Sequence, residues 1–144
     1  MSTNQIKWLR VAVISLLLLL VIQFEFGMAV NLSNLPSIPS FGFSFSSVTS
    51  ALNQAGFVAF IHAVLGTVLT IFSLIVLVMA LDSRTKSLQI FGGLGFLTMA
   101  LAETNGLLFV LSGFQNDNYS HGMATMFILT FGFYFLELYF LKPA

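Results

Sequence analysis

The chain has 144 residues, 58% hydrophobic and only 7% charged, with five basic and five acidic side chains that cancel. A water-soluble domain carries about a quarter charged residues, so this chain cannot cover itself with a solvated surface and needs lipid as its solvent. The composition leaves no basic patch for nucleic acid. The absence of cysteine excludes a disulfide, a thiolate metal site and a cysteine nucleophile.

Backbone groups in lipid must be satisfied internally, which leaves helices or a closed barrel. Long unbroken runs of Leu, Val, Ile and Phe select helices, because barrel strands would alternate in polarity. A hydrocarbon core of about 30 Å takes about 20 helical residues. Four spans are predicted, near 9–30, 57–81, 88–111 and 119–141, in one transmembrane domain covering 1–144.

The first span follows Lys7 and Arg10. These could instead head a secretory signal with an apolar region over 11–22 and cleavage after Ala29. The length of the run, and Gln23, Gly27 and Asn31 spaced by four, favour a retained membrane helix with a packing face. Glu25 stands about 200° around the helix from Gln23, close enough to the outer end to reach the interface.

The long connection, 31–56, is uncharged and Ser-rich, with Pro36 and Pro39, and its Phe41, Phe43 and Phe45 alternate with Gly42 and Ser44. Such a loop is expected to lie on the outer membrane interface and cap the bundle, with a short helix near 47–53 before Gly56. Asn31-Leu32-Ser33 and Asn118-Tyr119-Ser120 match the glycosylation pattern, but such triplets arise often by chance and both lie close to the membrane.

The second span carries His62, Gly66, Thr70 and Ser73 on one stripe, and the third Gly95, Thr98, Ala102 and Asn105. On the fourth span the stripe is His121, Thr125 and Gly132. Small and weakly polar residues on one face let membrane helices approach closely, so these stripes are assigned to the interior, with Val76 and Phe133 toward lipid. Short connections at 82–87 and 112–118 make successive helices antiparallel neighbours. The expected fold is an all-α, up-down-up-down four-helix membrane bundle. Every basic residue (Lys7, Arg10, Arg84, Lys86, Lys142) falls on one side of such a bundle. The Lys/Arg excess marks the cytoplasmic side, so both termini are expected on the cytoplasmic side of the cell membrane.

A charge in the membrane core costs roughly 2.5–3.5 kcal/mol on insertion scales. Glu103 is therefore expected to be neutral, hydrogen-bonded or facing another helix. Glu137, beside Tyr139 and Lys142, reads as an interfacial anchor. His62 and His121 lie in the outer half on helices that stand diagonally across a four-helix bundle. Two imidazoles at similar depth could ligate haem b iron from both faces, or copper with Met123 or Met126 as a soft donor. They could equally be polar helix ends bonded to outer-loop Asn and Ser. A faint internal repeat pairs Glu25 with His62 and Glu103 with His121. As a parallel duplication it would bring the histidines together.

Gln23, Gly27-Met28, Asn31-Leu32 and Pro36, then His62 and Leu65-Gly66, then Asn105-Gly106 with Phe109, and Ser120 with Met123 form a pattern across most of the chain. On these residues the chain resembles a widespread group of small four-helix prokaryotic membrane proteins. The resemblance implies a four-helix fold and carries no activity with it. His62 falls within the pattern and His121 outside it, which makes His62 with Met123 a variant of the haem arrangement.

The sequence shows no catalytic constellation. The leading expectation is a non-catalytic subunit or assembly partner within a larger membrane complex, associating with lipid and with other membrane subunits or its own copies. One alternative is a small b-type cytochrome-like electron carrier using His62 with His121 or Met123. The other is proton or small-solute passage using Glu103, for which the inner half offers no evident polar lining.

Overall fold

The computed structural model of the chain describes residues 3–141, so Lys142 lies outside the described residues. Among these residues the structure is all-helical: α1 (Thr3–Asn31), α2 (Phe45–Ala55), α3 (Phe57–Asp82), α4 (Lys86–Leu111) and α5 (Asp117–Phe140). The four long helices are each long and apolar enough to cross a membrane.

The buried positions recur at three- and four-residue intervals, so each helix turns one narrow seam inward. On α1 the seam is Leu9, Val13, Leu16, Leu20 and Gln23, and on α3 it is Gly66, Leu69, Ser73, Val76 and Ala80. On α4 it is Leu88, Gly92, Gly95, Met99 and Ala102. On α5 it is Thr130, Tyr134 and Glu137, continued by Leu141 just beyond the helix. Leu9, Leu16 and Leu20 of α1 join Leu69 and Val76 of α3, Leu88 and Met99 of α4 and Tyr134 of α5 in one core. Val76, expected toward lipid, is fully buried. It continues the spacing of Gly66, Leu69 and Ser73, and seam periodicity outweighs its lack of polarity.

Each long helix touches two of the others. α4 packs most extensively on α5, then come the α1–α3 and α3–α4 contacts, and the α1–α5 seam is the thinnest of the four. Among the described residues, α1 and α4 do not meet in this way, nor do α3 and α5, so these pairs form the diagonals. The outward faces remain rich in Val, Leu, Ile and Phe, as a lipid-facing surface requires.

The connection between α1 and α3 forms a strap across one end of the bundle. Ser44 caps α2 by accepting from the Ser47 amide. Gly56, at a positive φ of 98°, turns the chain directly from α2 into α3. Before α2, the Ile38 amide donates to the Gly113 carbonyl, and the Phe41 amide donates to the Leu111 carbonyl at 3.1 Å. The Gln115 amide side chain in turn donates to the Ile38 carbonyl at 2.6 Å. A second small core of Ala51, Leu52 and Val110 lies beneath the strap, with Ile38, Phe41 and Phe60 packed against it. Of the three loop phenylalanines only Phe41 is enclosed, while Phe43 and Phe45 are 70% and 83% exposed.

Candidate functional site

Polar side chains gather at two levels of the bundle. The first lies toward the α2 end, where α1, α3 and α4 converge on Gly66. The missing side chain of Gly66 makes the room. A Cβ there would lie 2.8 Å from Glu103 Oε2 and 3.2 Å from Gln23 Nε2. Gln23 donates to the His62 carbonyl at 3.1 Å, and Thr67 donates to Glu103 Oε1 at 2.7 Å. His62 places its imidazole against α1, where a Cβ on Gly27 would stand 3.0 Å from the ring carbon Cε1. Gly27 and Gly66 are thus the recesses that admit a ring and a carboxyl between helices. His62 Nδ1 and Gln23 Oε1 are buried with no partner among the described residues.

The second level lies toward the α3–α4 connection. Tyr134 and Glu137, one turn apart on α5, are both fully buried. Tyr134 lays its ring over Gly95, where a Cβ would lie 2.7 Å from the ring atom Cζ. Glu137 sits over Gly92, where a Cβ would approach its Oε1 to 3.3 Å and the Ala80 methyl to 2.9 Å. The Tyr134 hydroxyl lies beside Ser73 without completing a hydrogen bond, and neither carboxyl oxygen of Glu137 has a partner among the described residues. Thr130 donates to Thr98 across the α4–α5 contact at 2.9 Å. Glu137 is therefore an interior residue and not an interfacial anchor. The α5 face that carries it follows Thr130 and Tyr134 inward.

That face is offset from the expected one. Nine residues, or about two and a half turns, separate His121 from Thr130, which puts them on opposite sides of the helix. His121, Thr125 and Gly132 accordingly point outward and are exposed. The reason is complementary packing. The large Tyr134 ring occupies the space that Gly95 leaves, so the lower part of α5 turns Tyr134, and not Gly132, toward α4.

Asn31 is also exposed at the end of α1, outside the interior. Thr70 is half-buried and donates to the Gly66 carbonyl. Asn105 donates to the Leu101 carbonyl and faces Gly122 of α5, where a Cβ would meet its Oδ1 at 2.5 Å. Met123 places its sulfur against Gly106. The structure thus brings Gln23, Gly27, His62, Gly66 and Glu103 together. It does not bring His62 to His121 or Met123, because His62 turns toward α1 while Met123 packs on α4 and His121 faces outward. Among the described residues no group of three or more His, Asp or Glu side chains could hold a metal ion.

Sequence reasoning missed the Tyr134–Glu137 level. The signal was present as the spacing Thr130, Tyr134, Glu137, Leu141, which matches the three- and four-residue rhythm of the other helices. The chain matches no protein-family model, no curated protein and no solved structure.

Proposed function

We propose that this protein is an integral membrane bundle of up-down-up-down topology with both termini in the cytoplasm, serving as a non-catalytic subunit that packs within a larger membrane complex. Contacts at both ends support the topology. Gln5 near the start of α1 donates to Asp82 at the end of α3, while Gln23 near the end of α1 reaches His62 near the start of α3. Phe91 early in α4 stacks on Phe140 at the end of α5, and Gly106 late in α4 receives Met123 early in α5. Arg10, Arg84 and Lys86 then share one side, which supports the orientation. A periplasm-active reporter should work near Ser44 and fail after Lys142. Activity after Lys142 would overturn the topology.

The observation that carries the subunit reading is the outer face of α5. His121, Thr125, Ile128, Gly132 and Phe135 follow a four-three-four-three spacing and are all exposed. A Cβ added at Gly132 would meet nothing within 4 Å. Lipid gains little from a histidine, a threonine and a glycine recess on one stripe, whereas another membrane helix packs well against such a seam. In mild detergent the protein should run as a complex larger than one chain, and Gly132→Leu should break that complex while leaving the chain helical. A native protein that runs as a single chain would overturn the subunit reading.

The electron-carrier alternative draws on the buried, unpartnered Nδ1 of His62. Its test is the visible spectrum of the purified protein. A low-spin b-type spectrum abolished by His62→Ala would favour it, and a colourless protein would end it.

A further inference from the structure

Glu137 is 0% exposed, and neither of its oxygens has a hydrogen-bond partner among the described residues. A buried polar group without a partner costs about 1–3 kcal/mol, and more if charged. Acids within membrane spans that face a bundle interior are functional-site candidates by default, proton and ion routes among them. A further observation gives this one a direction. From Glu137 the next polar group is the Tyr134 hydroxyl, one turn back on α5 and likewise unpartnered, lying beside Ser73 of α3. Ser73 donates to the Thr70 carbonyl at 2.7 Å, and Thr70 donates to the Gly66 carbonyl at 3.1 Å. Thr67, next along α3, donates to Glu103 at 2.7 Å. Gly66 itself lies under the other oxygen of Glu103. Polar side chains thus recur from Glu103 at the α2 end to Glu137 at the opposite end, by way of exposed Thr67, half-buried Thr70 and buried Ser73, about one turn apart on α3, and then Tyr134 of α5.

We propose that this series is a proton path across the bundle, with Glu103 and Glu137 as its two acid stations. A proton arriving from the α2 side binds the Glu103 carboxylate. It passes along the Thr67, Thr70, Ser73 and Tyr134 hydroxyls through intervening water, each hydroxyl receiving one proton and releasing another. It reaches the Glu137 carboxylate and leaves to the far side, so that no group is altered after each passage. Water entering beside Tyr134 and Glu137 during passage would supply the hydrogen-bond partners these groups lack at rest.

The proposal rests on the membrane-spanning reading, and the test separates the two. Full-length protein is reconstituted into lipid vesicles containing a pH-sensitive dye, and a potassium gradient with valinomycin drives proton entry. Co-flotation of protein with the vesicles reports the membrane reading on its own, and its failure would end that reading. Given co-flotation, flux should exceed that of empty vesicles. Glu137→Gln and Glu103→Gln should each reduce the excess at least tenfold, and Gln54→Ala on α2 should leave it unchanged. Tyr134→Phe, which removes one hydroxyl and keeps the ring over Gly95, should reduce it severalfold. It decides the matter if a carboxyl variant loses its helical circular-dichroism signal. Flux equal to empty vesicles, or undiminished flux in a folded Glu137→Gln or Tyr134→Phe protein, would overturn the proposal.

Discussion

At the α2 end of the bundle the polar side chains reach across to neighbouring helices, while at the opposite end two more deeply buried groups, Tyr134 and Glu137, find no hydrogen-bond partner among the described residues. Glu103 takes a hydrogen bond from Thr67, and Gln23 gives one to the His62 backbone. Tyr134 and Glu137 likewise lie over glycines, Gly95 and Gly92, yet the Tyr134 hydroxyl beside Ser73 completes no bond and the Glu137 oxygens have no partner among the described residues. A glycine therefore makes room for a polar side chain without satisfying it. Whether the group is satisfied depends on what the neighbouring helix brings. Beside Gly66, α3 brings the Thr67 hydroxyl to Glu103. At Gly92 the nearest α3 atom is the Ala80 methyl.

The largest effect that would test this contrast comes from filling a recess. Gly95→Leu drives a side chain into the Tyr134 ring and should cost about 1–3 kcal/mol, as overpacked cores do, read as a lower midpoint in a detergent unfolding assay. Gly132→Leu, on the exposed side of α5, should leave the midpoint of the single chain nearly unchanged. Equal losses at the two glycines would mean that the α5 face has been misassigned.

A smaller effect, of opposite sign at the two ends, comes from removing the acids. Glu137→Leu replaces an unpartnered buried group by carbon and should raise stability by about 1 kcal/mol, because the desolvation penalty disappears. Glu103→Leu breaks an existing bond and should lower stability by a similar amount. Destabilisation by both changes would show that Glu137 has a partner after all. If Glu137→Leu stabilises the fold and abolishes proton flux, stability has been given up for activity at that position.

The smallest effect is at Thr67. Interhelical hydrogen bonds in membrane proteins contribute about 0.6 kcal/mol on average, so Thr67→Val should lower the midpoint by that order and be additive with Gly95→Leu. Strong coupling between these variants would mean that the two ends of the bundle do not behave as separate regions.

Much of the bundle was readable from composition and period. Four apolar runs became four long helices, and the loop helix before Gly56 appears as α2. The seams of α3 and α4 follow Gly66 and Ser73, and Gly95, Thr98 and Ala102, as small residues indicated. The fourth helix misled because polarity was taken as the guide to its inner face. His121 and Thr125 are polar yet exposed, while Tyr134, the bulkiest buried side chain, sets the face. Size complementarity between α4 and α5 is a property of two helices together, and one helix read alone does not contain it. Glu137 was misplaced for the same reason. Its position near the end of a span suggested an anchor, but its angle around the helix is fixed by Tyr134.

The strap that crosses from α1 to α3 is tied to carbonyls of Leu111 and Gly113, which follow it in the chain by some seventy residues. Those carbonyls exist only after α4 has been made, and Gln115, which holds Ile38 from the other side, comes later still. During synthesis α1 and α3 can therefore insert and pair, with α2 resting on α3, while the stretch before α2 still lacks the carbonyls it is tied to. The stretch around Ile38 and Phe41 settles last, and a chain stopped before residue 111 should keep it open to protease.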